Sequence, residues 1–245
     1  MTREVARMRY GLPMRFAAPL VPGRLLRRYK RFLADVLLDD GSEVTAHCPN
    51  PGSMMGLLRP RARVLLSESD APHRKLRYSW ELVRVGRTWA GINTMRTNRV
   101  VEDALRRRRI PELAGWSEIR AEAPLGECRR VDFLLREDGR PCWVEVKNVT
   151  LADGNVARFP DAVTARGTAH LVELTGRVRE GDRAVMLYLV NRGDCSWAGP
   201  AADIDPVYAD TLREALDAGV EALAYRARAG RSGNRVEQRI PFRLD

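Results

Sequence analysis

Between the alternating apolar runs RVDFLLRE and RPCWVEVK stands the dipeptide Asp138-Gly139, and it limits the fold more tightly than any other stretch of the chain. Asp-Gly supplies the two left-handed residues that a two-residue hairpin turn needs, so it sets register as well as pairing. With Glu137 facing Arg140, the register places Phe133 opposite Val144, Val131 opposite Val146 and Leu135 opposite Cys142, which makes one apolar face. On the other face Asp132 falls across from Glu145 and Arg130 across from Lys147. Side chains directly opposite stand about 4.5 to 5.5 Å apart at Cβ, and Glu145 and Lys147, two apart on one strand, share that face.

An Asp facing a Glu across a ladder is destabilising unless a cation compensates. Two readings follow. In one, Arg130, Asp132, Glu145 and Lys147 form an exposed ion-pair quartet, Asp132 with Arg130 and Glu145 with Lys147. In the other, Asp132 and Glu145 hold a hard divalent cation, Mg²⁺ or Mn²⁺, and Lys147 orients a water for phosphodiester cleavage. Glu102, on a helix expected from Asn98, is a third candidate carboxylate, although Arg106 four residues on suits a helical ion pair.

The charge balance bears on the choice. Formal net charge is +10, and residues 1–120 hold 24 Lys+Arg against 12 Asp+Glu while residues 121–245 hold 18 against 20. Positive charge concentrated in one half is the footprint of a polyanion binder. Only three of the 42 basic residues are lysine, namely Lys30, Lys75 and Lys147, so a lysine here marks a place where arginine does not serve. The four cysteines, Cys48, Cys128, Cys142 and Cys195, have neither zinc nor disulfide spacing and are expected to be reduced and mostly buried. No window matches a membrane span, and the N-terminal residues lack a signal-peptide core, so a cytoplasmic protein with no membrane partner is expected.

Residues 24–48 read as one long strand, a turn at Asp40-Gly41 and a second strand, with Asp39 facing Ser42, Leu37 facing Val44 and Leu33 facing Cys48. Strands follow at 63–67, 76–85 and 88–92. Five short strands without helical period suggest a small barrel, the OB-fold being common among nucleic-acid binders. Asn98 reads as the N-cap of a helix that Pro111 ends. Beyond the Asp138-Gly139 hairpin, residues 159–178 have helical spacing, 183–190 form an apolar strand, 205–219 a helix and 220–228 a strand parallel to 183–190. The tail from Gly230 is basic and carries no clear pattern.

In the long first strand Arg27, Tyr29 and Arg31 share one face and Arg28, Lys30 and Phe32 the other, offering cations for phosphates and rings for base stacking. Tyr29 and Phe32 fit barrel core equally well. Arg74, Lys75 and Arg77 lie in a loop and add phosphate contacts. Arg166 and His170, one helical turn apart, either approach the DNA backbone or satisfy carboxylates on the sheet. DNA, double- or single-stranded, is the expected partner; the oligomeric state stays open, with a homodimer as one option.

RYKRFLADVLL (28–38), HCPNPGSM (47–54), GINT (91–94), RRVDFLL (129–135), VEVKNVTL (144–151) and FPDAVTARGTAHL (159–171) together resemble the sugar fermentation stimulation protein family. The resemblance implies an α/β chain, α+β overall: an OB-like N-terminal β-barrel over 1–94, then a PD-(D/E)xK nuclease-like domain over 95–245 with a central mixed sheet flanked by helices. It also implies DNA binding without marked sequence preference and a role in regulating transcription of sugar catabolism. On that pattern Asp132 is the first acid, Glu145 and Lys147 are the E-x-K pair, and Glu102 is the helical acid. Cys128-Arg129 and Pro51 depart from it without touching the acid-acid-lysine set. A nuclease fold can persist as a binding module, so DNA binding is the first expectation and Mg²⁺-dependent cleavage the alternative.

Overall fold

The computed structural model describes residues 14–125 and 129–244. Cys128 and most of the N-terminal residues lie outside them; Cys48, Cys142 and Cys195 are buried free thiols.

Six strands build the first unit: β1 (Val21–Tyr29), β2 (Leu33–Leu38), β3 (Glu43–His47), β4 (Arg63–Glu68), β5 (Tyr78–Val85) and β6 (Thr88–Gly91). Their order is β3-β2-β1-β4-β5-β6, and a parallel pairing of β3 with β5 closes five of them into an OB-like barrel. Leu25, Val36, Val64, Leu66 and Trp80 fill it. The expected long strand is corrected here: it is two strands, folded back on each other at residues 30–32, with Tyr29 opposite Leu33. Lys30 and Arg31 both adopt left-handed backbone, φ 47° and 63°, which is costly for residues with a Cβ and gives the turn no Asn-Gly signature. The next turn is one residue longer than expected. Leu37 therefore faces Glu43, and Val36 faces Val44, while Asp40 accepts from Ser42 N at 2.9 Å.

A 3₁₀ turn (Thr94–Arg96) leads into α1 (Thr97–Arg106). Asn93 caps the turn by accepting from Met95 N, so Asn98, expected to be the cap, lies inside the helix. Then come β7 (Glu118–Leu125), β8 (Arg129–Glu137), β9 (Arg140–Val149), β10 (Leu151–Asp153), β11 (Val156–Phe159), α2 (Ala165–Arg179), β12 (Arg183–Val190), β13 (Trp197–Pro200), α3 (Pro206–Asp217), β14 (Glu221–Gly230) and β15 (Gly233–Ile240). The main sheet runs β15-β14-β12-β9-β8-β7, and β10, β11 and β13 form a small second sheet. The helix expected over 159–178 starts only at Ala165, where Thr164 accepts from Gly167 N. The patternless tail is β15, an outer strand antiparallel to β14.

β12 explains the layering. It is parallel to β9 and β14, and apolar on both faces as a central parallel strand must be. Val185, Leu187 and Leu189 pack toward Val101 and Leu105 of α1. Met186, Tyr188 and Val190 pack toward Leu171 of α2 and Leu212 of α3. α1 thus covers one face and α2 with α3 the other.

The barrel is fixed to this body by more than the linker. Leu65, Leu82 and Trp89 of the barrel share an apolar cluster with Ala229 of β14. Gly91 N donates to Asn191 O at 2.8 Å, an approach so close that a Cβ on Gly91 would meet Asn191 Oδ1 at 2.5 Å. No helix among the described residues is long and apolar enough to cross a membrane, which says nothing of strands that might.

Candidate active site between barrel and sheet

The Asp138-Gly139 turn has both residues left-handed, φ 50° and 80°, and its register is the expected one: Phe133 pairs with Val144 and Leu135 with Cys142. The ladder then ends. Asp132 has no ladder partner in β7 or β9, and its own carboxylate takes the place of a strand carbonyl, Oδ2 accepting from Val146 N at 2.7 Å. Its Oδ1 accepts from Asn98 Nδ2 of α1, also at 2.7 Å. The Arg130 partnership of the quartet reading is therefore not what holds Asp132. Arg130 is exposed.

Glu145 sits on the α2 face of β9, 4% exposed. Its Oε1 accepts from Lys147 Nζ at 2.7 Å and pairs with His170 Nδ1 of α2. Arg166 Nε approaches His170 Nε2 at 3.4 Å, on the opposite edge of the ring from Glu145. The second carboxylate oxygen, Oε2, is buried without a hydrogen-bond partner. An ionised oxygen out of water and unbonded costs several kcal/mol, and a cation beside it would remove that cost.

The two acids titrate apart. Burial and then the neighbouring Glu145 charge push the Asp132 carboxyl up to about 6, against the opposing pull of Val146 N–H, Asn98 and Lys147. Burial also works to raise Glu145, but His170 and Lys147 together hold it below the usual carboxylate range. One acid is thus fixed as an anion and its partner is poised near neutrality.

These groups form the floor of a cleft of about 330 Å³ whose other wall comes from the barrel, at residues 50–52, and from Thr94, Thr97 and Asn98. Arg158, Asp161 and Arg166 line it as well. The barrel wall is built by Arg28, whose guanidinium donates to the carbonyls of Asn50 (2.9 Å), Gly52 (3.0 Å), Ser53 (3.3 Å) and Arg31 (3.0 Å). Across the cleft Ser53 Oγ donates to Asp161 O at 2.6 Å and Met54 N to Asp161 Oδ2 at 2.9 Å. Gly52 is required there, since a Cβ would meet Asp161 Oδ2 at 2.7 Å.

Of the residues expected from sequence, Asp132, Glu145, Lys147 and Arg166 meet in this cleft. Glu102 does not line it. Its carboxylate is paired with Arg106, one turn along α1, and the helix position that reaches Asp132 is Asn98. Among the described residues no three His, Cys, Asp or Glu side chains form a metal cluster; the donors that the cleft would offer an ion are the carboxylates of Asp132 and Glu145. That fits Mg²⁺, which keeps several waters. Arg27 donates to Asp35 Oδ2 at 2.7 Å and lies over the Tyr29 ring, while Tyr29 donates to Asp35 Oδ1. Arg74 donates to Ser79. Lys30, Arg31 and Lys75 are exposed.

Comparison with known proteins agrees with this architecture. The family model described as "SfsA N-terminal OB domain" matches residues 26–92, and that described as "Sugar fermentation stimulation protein RE domain" matches residues 95–233. A sugar fermentation stimulation protein homolog of Paramagnetospirillum magneticum is 53% identical over 95% of this chain and 98% of its own. A homolog of Geobacter sulfurreducens is 55% identical over 91% of this chain and 96% of its own. The solved structure of Pyrococcus furiosus SfsA in complex with Ca²⁺ superposes with a TM-score of 0.86 at 28% identity, covering 94% of this chain and 98% of that one. Barrel, mixed sheet and near-full-length matches converge on one conclusion: the chain belongs to the sugar fermentation stimulation protein family.

Proposed function

We propose that the protein is a divalent-metal-dependent nuclease that hydrolyses phosphodiester bonds in DNA, with a PD-(D/E)xK-type site of Asp132, Glu145 and Lys147. The observation that carries this is the buried, unbonded Oε2 of Glu145 beside Asp132, whose carboxyl is raised to about 6 by the same neighbour. The quartet alternative accounts for the Glu145–Lys147 pair, at 2.7 Å, but gives Glu145 Oε2 no partner. When bound, Mg²⁺ or Mn²⁺ would activate water and stabilise charge developing on the phosphate. Asp132 and Glu145 hold the cation, and His170 keeps Glu145 anionic and oriented. Lys147 spends one ammonium proton on Glu145 Oε1, and its remaining donors serve a water or a phosphate oxygen. The complex of the Pyrococcus furiosus relative with Ca²⁺, another hard oxygen-seeking cation, supports the choice of ion class.

DNA as substrate rests on charge. The basic excess lies in residues 1–120, which hold the barrel and α1, and Lys30, Arg31, Arg74 and Lys75 of the barrel with Arg166 of the cleft supply phosphate contacts. Arg27, Arg28 and Tyr29 act behind them, bracing the strand and the cleft wall. The test is incubation of plasmid and oligonucleotides with purified protein in Mg²⁺ or Mn²⁺. Cleavage that EDTA and Asp132→Ala both abolish is the expected result. DNA bound with salt-sensitive affinity yet left intact in either metal would reduce the protein to a binding module and reject the nuclease.

A further inference from the structure

Three chain segments meet at the mouth of the cleft. The barrel loop 49–55 is tied to 93–98 by Thr94 Oγ1 donating to Pro49 O at 3.0 Å, and to 160–166 by Ser53 Oγ donating to Asp161 O at 2.6 Å. A fourth element, the turn at 30–32, is tied to the same loop through Arg28, which bonds Arg31 O and three loop carbonyls with one guanidinium.

Each of these four elements carries an exposed large apolar side chain: Phe32 (44%), Met55 (51%), Met95 (74%) and Val163 (77%). A single exposed apolar residue needs no explanation. None of the four lines the cleft itself, but all four stand on the segments tied together at its mouth, and apolar groups that share one side of a surface mark a place that something covers. Beside Phe32 the left-handed Lys30 and Arg31 hold two cations outward at a backbone cost that Asn-Gly would avoid.

We infer that the strand taken by this cleft is unpaired DNA. Its sugar-phosphate backbone passes from the Lys30-Arg31 turn over the barrel loop to the carboxylate floor, and its bases rest on Phe32, Met55, Met95 and Val163. The inference rests on the nuclease reading of the floor. A duplex presents phosphates and sugars outward and base edges in its grooves, but it hides its base faces in the stack, so it has no π-face to lay on the apolar side chains. A single strand offers both chemistries at once, charge along one edge and π-faces along the other. The cleft, about 330 Å³ and walled by the barrel, matches one strand better than two.

Fluorescence anisotropy in EDTA tests binding apart from cleavage, using a labelled 20-nucleotide strand and the duplex of the same length. Single strand is expected to bind at least about tenfold tighter. Phe32→Ser and Met95→Ser, at exposed positions, are each expected to weaken it roughly fivefold or more without changing the salt slope, because stacking releases no counterions. Equal or tighter duplex binding, or variants within about twofold of wild type, would overturn the inference. A parallel digestion in Mg²⁺ separates the two readings. Single-strand preference with no cleavage of either DNA upholds this inference and rejects the nuclease; faster cleavage of duplex keeps the nuclease and rejects this inference.

Discussion

Asp132→Asn is expected to leave the protein inactive and, without divalent cation, more stable than wild type. The sign follows from linkage. The folded-state carboxyl is raised from 3.8 to about 6, so between those values the native state holds a proton that the unfolded chain has released. Stability therefore falls as pH rises through that window and stays lower above it. The loss at neutral pH is about 1 to 3 kcal/mol. Asparagine keeps an oxygen for Val146 N–H and, with its amide turned, can donate to Asn98 Oδ1, while removing the charge that Glu145 opposes. Denaturant unfolding at pH 8 in EDTA should show the variant ahead by that margin, with the gap closing below about pH 4. Mg²⁺ should then stabilise wild type and not the variant, since only an ion-binding native state gains by mass action. Cleavage should drop by about 10³-fold or more. A variant less stable than wild type at pH 8 in EDTA would mean that the carboxylate pair is not in conflict.

Lys147→Met separates the reaction from the site's assembly. Methionine fills similar space and keeps the strand, but it removes the ammonium between Glu145 Oε1, 2.7 Å away, and His170 Nδ1, 3.4 Å away. His170 still holds Glu145, so divalent-cation binding should survive within about tenfold. Single-turnover cleavage should fall roughly 10²- to 10⁴-fold. Lys147→Arg is not expected to restore it, because a planar guanidinium cannot take the place of a compact ammonium in a buried pair. Equal losses of metal affinity and rate would assign Lys147 to holding Glu145 and nothing more.

Part of this site was legible before the fold was known. Asp138-Gly139 determined the hairpin because its turn type admits one register, and Asp132, Glu145 and Lys147 followed by counting. What counting missed is that the ladder stops at Phe133–Val144, so that Asp132 bonds Val146 N instead of facing Glu145 as one member of a regular pair. Asn98 and Glu102 share one face of α1, and spacing alone does not say which turn of the helix lies over Asp132; the expectation of a third acid chose the wrong one. His170 was visible only as a helical neighbour of Arg166. Its contact with Glu145 depends on the crossover that lays α2 on the sheet.

In the barrel, the turn at Lys30-Arg31 carries no mark in the sequence, because neither residue is a turn former and no Gly, Pro, Asn or Asp stands between Arg24 and Ala34. β15 is polar at most positions, as an outer strand can be, and β10, β11 and β13, of three or four residues each, are too short to show a period. The cleft wall was present in the sequence as HCPNPGSM and FPDAV, two Pro-rich loops 107 residues apart at Met54 and Asp161. Only the packed domains show that they touch.

The central claim is that Asp132 and Glu145 share a divalent cation, and anomalous diffraction from crystals soaked in Mn²⁺ tests it most directly. The expected result is a manganese peak in contact with one oxygen of each carboxylate, the Glu145 oxygen being Oε2, with water completing the shell. Density free of any peak between the two acids at saturating Mn²⁺, with Glu145 Oε2 still unbonded, would contradict it.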